Sequence, residues 1–219
     1  MIPPEANADF VYQMEEVLAV YHRPYNPDFP VVCMDESPCQ LIGETRKPFI
    51  DSKGVEHRDY EYVRKGTVSI FAALEPLAGR RLIRVRDRHK SEDWVIFMRE
   101  IAENYPDAKR ITIVLDNLST HKKSTFYKFL KPEKAREMAE KFEFVYTPKH
   151  GSWLNIAEIE LQVLKKQCLS GRVPEKDTLS EKINVWQKER NDQIKTVDWQ
   201  FSIEDARIKL KRLYPNILE

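Results

Sequence analysis

Ile111-Thr112-Ile113-Val114-Leu115-Asp116-Asn117 is the most apolar run in the chain, and it stops abruptly on a carboxylate and an amide. An aliphatic run of this length without polar alternation is what a strand buried on both faces requires. A shorter run of the same kind, Val31-Val32-Cys33-Met34, also closes on acids, Asp35-Glu36. If both strands are central and parallel, their C-terminal ends are neighbours, and that edge is where open α/β sheets place their chemistry. Aspartates set side by side repel and lose solvation. A hard divalent cation offsets both costs, since Mg²⁺ is held by one or two carboxylates together with waters and phosphate oxygens.

A third carboxylate lies in Ser152-Trp153-Leu154-Asn155-Ile156-Ala157-Glu158. Asn155 is placed to start a helix running to about Leu169, on which Ile159, Val163 and Leu164 share one side and Glu158 falls off it, beside Lys165. Each residue also has a plainer role open to it. Asp116-Asn117 is an ordinary strand-to-turn dipeptide, Asn155-x-x-Glu158 is a capping box, and Asp35 and Glu36 compete as ligands. The order strand-Asp, strand-Asp, helix-Glu is more specific than any one of them.

Outward from these runs, residues 5–21 carry Phe10, Met14, Val17 and Tyr21 at helical spacing, and the pattern ends before Arg23-Pro24. Pro24, Pro27 and Pro30 make an extended connector. Residues 43–60 read as a loop. Residues 61–75 and the alternation Leu82, Arg84, Val85, Arg86 then read as strands of a meander. Ser91-Glu92-Asp93 starts a helix with Trp94, Phe97 and Ile101 on one face, ended by Asn104-Tyr105-Pro106. Residues 122–141 are helical with a break at Pro132, Phe142–Tyr146 is a strand, and Thr147–Leu154 is a loop. After Gly171, Thr178-x-x-Glu181 and Ser202-x-x-Asp205 are two helix-start signals. The organisation expected is an N-terminal helix and connector at 1–30, an α/β catalytic domain with a mixed central sheet and helices on both faces at 31–170, and a helical extension at 171–219.

The chain has 219 residues, 42% hydrophobic and 11% aromatic, enough for one sizeable core with appendages. Its 36 Lys+Arg against 35 Asp+Glu give a formal charge of +1, not the excess of a self-sufficient DNA-binding module. No stretch approaches the roughly 20 apolar residues that span a bilayer, and the first residues lack the regions of a signal peptide, so a cytoplasmic protein is expected. The three cysteines, Cys33, Cys39 and Cys168, make neither a disulfide framework nor a C-x-x-C zinc pair. Nor is there a Ser-His-Asp or Cys-His arrangement to supply a covalent nucleophile.

The motifs V-V-C-M-D-E around Asp35, V-L-D-N-L-S-T-H around Asp116 and T-P-K-H-G-S-W-L-N-I-A-E around Glu158 resemble those of the DDE transposases of the mariner-like superfamily, in its bacterial insertion-sequence branch. The likeness spans roughly residues 31–169. It departs at Ile156, where many relatives have proline, a residue suited to a first helical turn. The resemblance implies an RNase H-like fold and Mg²⁺-dependent DNA cleavage followed by strand transfer, with Mn²⁺ as a substitute. Two ions about 4 Å apart can activate the attacking water or 3′-hydroxyl and stabilise the leaving oxygen. Asp35, Asp116 and Glu158 are then the catalytic and metal-binding residues. A transposase-derived DNA-binding protein without catalysis and an RNase H-like nuclease without strand transfer are the alternatives.

Asn117 and His121 belong to the second motif and are auxiliary candidates for orienting water or phosphate, as are Lys149 and His150 in the loop before Glu158. Trp153 is either a base-stacking residue or an anchor of that loop. For double-stranded DNA, the candidates are Arg80, Arg81, Arg84, Arg86, Arg88 and Lys90, six bases against Asp87 alone, together with Lys122, Lys123 and Lys165. The N-terminal thirty residues are acidic. The resemblance further implies a homodimer on transposon ends and target DNA in a nucleoid-associated bacterial setting, with an upstream helix-turn-helix reader lying outside this chain.

Overall fold

The computed structural model describes residues 5–46, 48–57 and 59–215; residues 1–4 of the expected N-terminal segment and 216–219 of the expected tail lie outside it. Helix α1 (Ala8–Tyr21) is capped by Asn7, whose side chain accepts from the Phe10 amide, and buries Phe10, Met14, Val17, Leu18 and Tyr21. Strand β1 (Val31–Glu44) pairs antiparallel with β4 (Tyr62–Glu75), which pairs antiparallel with β5 (Arg80–Arg86). The small hairpin β2 (Phe49–Ile50) and β3 (Glu56–His57) lies between β1 and β4. Helix α2 (Ser91–Asn104) leads to β6 (Ile111–Leu115), which runs parallel to β1 on one side and to β7 (Phe142–Tyr146) on the other. The sheet is therefore mixed, in the order β5-β4-β1-β6-β7.

All five residues of β6 are buried, as its composition demands. One face of the sheet packs α2, α3 (Lys123–Phe129) and α4 (Pro132–Lys141) around Trp94, Phe97, Phe126 and Phe142. The other carries α1, α5 (Ile156–Cys168), α6 (Lys176–Asp192) and α7 (Ile203–Lys209). The stacked ring of Trp94 on Phe126, 5.2 Å between centroids, fixes α2 against α3.

Four local expectations need correction. β1 does not stop at Asp35. It continues to Glu44 along β4, so residues 43–60 are not one loop but hold the end of β1 and the β2–β3 hairpin. Only the parallel partner stops, the last pair being Cys33 with Val114. Helix α6 starts at Lys176, capped at Glu175, two residues before the Thr178 signal, whereas Ser202 and Asp205 do form the capping box of α7. On α5, Ile159 is 45% exposed; the core face is Ile156, Ala157, Glu160, Leu161 and Leu164. Among the described residues no helix is long and apolar enough to cross a membrane.

Candidate active site

Sheet register brings the first two carboxylates together. Asp35 lies two residues past Cys33, and Asp116 two past Val114, its parallel partner, so both stand at the edge where the β1–β6 pairing ends. Side chains alternate along a strand, and Cys33 and Val114 face α1 and the start of α5. Asp35 and Asp116 therefore point to the α5 face, and α5 delivers Glu158 there in its first turn. Asp35, Asp116 and Glu158 line one open cleft with Glu36, Ser37, Asn155 and Lys165.

The same alternation separates Asp35 from Glu36. Met34 belongs to the cluster packed on α2, and Glu36, two residues on, turns toward that side to meet His121, with Oε2 3.3 Å from Nε2. The imidazole is 1% exposed, stacks on Trp94 at 5.4 Å, and bonds Asp116 Oδ1 through Nδ1 at 2.5 Å. Burial would lower His121, but its contacts with Asp116 and Glu36 outweigh burial and lift it to about 9. The imidazolium thus sits between two carboxylates, one from each end-of-sheet motif.

The capping box at Asn155 forms only in half. Asn155 caps α5 by accepting from the Ala157 amide at 3.1 Å, and its amide group donates to the Met34 carbonyl at 3.0 Å. The Asn155 backbone N–H goes to Ser152 O, and Glu158 Oε2 is buried without a hydrogen-bond partner. Glu36 Oε2 is buried too, but it faces the His121 imidazolium at 3.3 Å. Burial pushes the Asp35 carboxyl up to about 7, opposed by the Glu36 amide it accepts at 2.8 Å and reinforced by the charges of Asp116, Glu36 and Glu158. A buried Glu158 oxygen without a partner and a carboxyl resisting ionisation mark the Asp35–Glu158 side of the site as short of positive charge. Hard oxygen donors of this kind suit a divalent cation such as Mg²⁺. As the side chains stand, however, no three His, Cys, Asp or Glu groups among the described residues enclose a metal position.

The remaining candidates divide by exposure. Asn117, Lys122, Lys123, Lys149 and His150 are exposed, and Lys165 donates to Ser37 Oγ at 2.7 Å inside the cleft. Trp153 is half-buried with its ring against Phe201 at 6.0 Å, which makes it an anchor of its loop. The Arg80–Lys90 stripe does not survive as one surface. Arg81 is buried, donating to Glu160 at 2.6 Å and to the carbonyls of Gly79 and Lys195, so it is a structural cation and not a phosphate ligand. Arg84 and Arg86 both pair with Glu100 on α2. Arg80 pairs in register with Glu75, at the end of the sheet away from Asp35, and its guanidinium lies over the Tyr105 ring. Arg88 and Lys90 remain exposed, just past the end of β5 nearer the cleft.

Sequence reasoning missed two buried contributors, Glu160 and Tyr21. Tyr21 donates its hydroxyl to the Leu154 carbonyl at 2.6 Å, immediately before the Glu158 helix.

A mixed five-stranded sheet with helices on both faces and acids clustered where its parallel strands end defines an RNase H-like domain. Over residues 30–180 the chain matches the DDE superfamily endonuclease family, and it belongs to that family. Its fold is similar to solved structures of the Mos1 mariner transposase. A paired-end complex with the left transposon end has TM-score 0.62 and 12% identity, covering 98% of this chain and 66% of that one. A paired end complex with Mn has TM-score 0.57 and 14% identity, covering 89% and 60%. A strand transfer complex has TM-score 0.54 and 12% identity, covering 89% and 63%. The chain thus spans about 60–66% of the length of these Mos1 chains. No curated protein matches it in sequence.

Proposed function

We propose that this chain is the catalytic domain of an insertion-sequence transposase, cutting DNA at transposon ends and joining the cut strand to target DNA with the help of Mg²⁺ or Mn²⁺. The observation that carries the reading is the cleft in which Asp35, Asp116 and Glu158 meet, with the Glu158 oxygen buried and unpaired. Asp35, Asp116 and Glu158 would hold the metal ions. When bound, such ions polarise the scissile phosphate, lower the pKa of the attacking hydroxyl and stabilise the leaving oxygen. Asn155 ties the Glu158 helix to the strand bearing Asp35. His121 holds Asp116 in orientation from behind, and Lys165 places a cation at the cleft wall for a phosphate. The Mos1 structures include paired-end complexes with Mn, with Mg and with the left transposon end, and a strand transfer complex. They support double-stranded DNA and divalent metal as partners here, and their paired-end form supports a homodimer.

The deciding experiment gives the chain the native element's ends and a target plasmid. Mg²⁺-dependent nicking with products joined to the target supports the proposal. Nicking without joining makes the chain a nuclease, and end binding without nicking makes it a non-catalytic descendant.

Metal uptake should depend on pH. Asp35, held near 7, must release its proton to act as a ligand, so Mn²⁺ affinity should rise about tenfold per unit up to about pH 7 and level off above it. A flat profile from pH 5.5 to 8.5 by isothermal titration would mean that Asp35 holds no proton over this range that metal must displace.

Salt dependence should sort the basic residues. Replacing Arg88 and Lys90 by Gln should flatten the slope of log K against log salt by about 0.9 for each phosphate that is no longer neutralised. Replacing Arg84, held by Glu100, should leave it unchanged. Filter binding on a nonspecific duplex reads both slopes.

A further inference from the structure

Helix α1 ends on Tyr21, whose ring is held against Trp199 with centroids 5.3 Å apart. Its hydroxyl meets three elements at once. It donates to the carbonyl of Leu154 at 2.6 Å and accepts from the backbone N–H of Ile156 at 3.4 Å. It also accepts from Cys33 Sγ at 3.5 Å. One donor and two acceptor positions are all that a phenol offers, so the group is fully used. Between Leu154 and Ile156, Asn155 binds the Met34 carbonyl and the Ala157 amide. Tyr21 and Asn155 therefore fasten residues 154–157 to β1 at Cys33 and Met34, the two residues before Asp35. Glu158 follows directly.

The first amides of a helix have no partner within it. Ile156 is 1% exposed, and the Tyr21 hydroxyl is what satisfies its N–H. Asn155, at φ −85° and ψ 108°, has the extended backbone that also suits a residue preceding proline.

We propose that Tyr21 is a positioning residue for Glu158, setting the start of α5 against β1 and thereby the placement of the Glu158 carboxylate relative to Asp35. The proposal rests on the metal-dependent reading above. It gives α1, which lies outside the three carboxylate motifs, a direct part in the site. Tyr21→Phe keeps the ring and its packing but leaves Leu154 O and Ile156 N–H buried without this partner. The first turn of α5 is then free to shift.

The test titrates Mn²⁺ alone into the full chain and follows the free-ion EPR signal. Tyr21→Phe should weaken Mn²⁺ binding about tenfold, the order expected from losing a well-made buried hydrogen bond at the site. Val17→Ala trims a buried side chain of the same helix that makes none of the hydrogen bonds to residues 154–157, and should lower the melting temperature while leaving Mn²⁺ affinity within about twofold. In an Ile156→Pro background the amide partner is gone, so adding Tyr21→Phe should cost only about threefold, Leu154 being the partner left. Equal Mn²⁺ affinity in wild type and Tyr21→Phe overturns the proposal, as does an equal loss in Val17→Ala. A wild-type chain that takes up no Mn²⁺ overturns the metal reading itself, and the role of Tyr21 falls with it.

Discussion

Asp116→Asn should keep the fold and lower Mg²⁺-dependent nicking of transposon-end DNA by about a thousandfold or more, the several kcal/mol that metal-ion stabilisation supplies to such a reaction. The two side chains have the same shape, and the amide oxygen can still accept from His121 Nδ1 as the carboxylate does at 2.5 Å. What disappears is the negative charge at the end of β6, beside Asp35 and opposite the Glu158 helix. The imidazolium of His121 then faces Glu36 alone as its charged partner. Circular dichroism and a thermal melt show whether the variant is folded, and a gel of end-labelled DNA gives the rate. Nicking within about threefold of wild type would take Asp116 out of the chemistry.

Glu160→Ala should be the most damaging of the variants outside the cleft. Glu160 lies on the opposite side of α5 from Glu158, 4% exposed, and receives Arg81 at 2.6 Å and Arg190 at 2.9 Å. The Arg81 side chain is fully buried. Removing the carboxylate leaves a guanidinium in the interior with only the carbonyls of Gly79 and Lys195 to answer it. Breaking one partner of a buried pair costs about 3–5 kcal/mol. For a chain of this size that corresponds to a fall in melting temperature of about 10 °C. A loss under about 1 kcal/mol in a urea titration would mean that water reaches Arg81. The triad joins β5, α5 and α6, so the same variant should loosen the C-terminal helices.

The parts of the fold that were legible were those whose composition decides them locally. β6 is buried on both faces and could hardly read otherwise, and α2 shows its core face through Trp94, Phe97 and Ile101. The full length of β1 was hidden because Ser37-Pro38-Cys39-Gln40 looks like a loop. β1 pairs with β6 only at Val31–Cys33, so beyond Asp35 β1 is an edge on that side, where a strand tolerates proline. Register separates Asp35 from Glu36, sending one to the α5 face and the other to His121. That information is spread over β1, β4 and β6 and is absent from the motif.

Charge was the least legible property. Six basic residues in eleven read as one stripe, yet Arg81 finds Glu160 79 positions away, and Arg84 and Arg86 find Glu100 on the next helix. A single sequence shows the charges but not which are already neutralised. Tyr21 was hidden for the same reason, its partners at Leu154 and Ile156 lying 133 and 135 positions away. It read simply as one more apolar position of an amphipathic helix.

If Asp35, Asp116 and Glu158 form one metal site at the end of the parallel strands, anomalous diffraction from crystals of the full chain soaked in Mn²⁺ will reveal it. A peak is expected in the cleft within about 2.0–2.6 Å of carboxylate oxygens from Asp35 and Asp116, with Glu158 facing the same or a second ion. Density for Mn²⁺ elsewhere on the chain, with this cleft empty, would contradict a shared metal site.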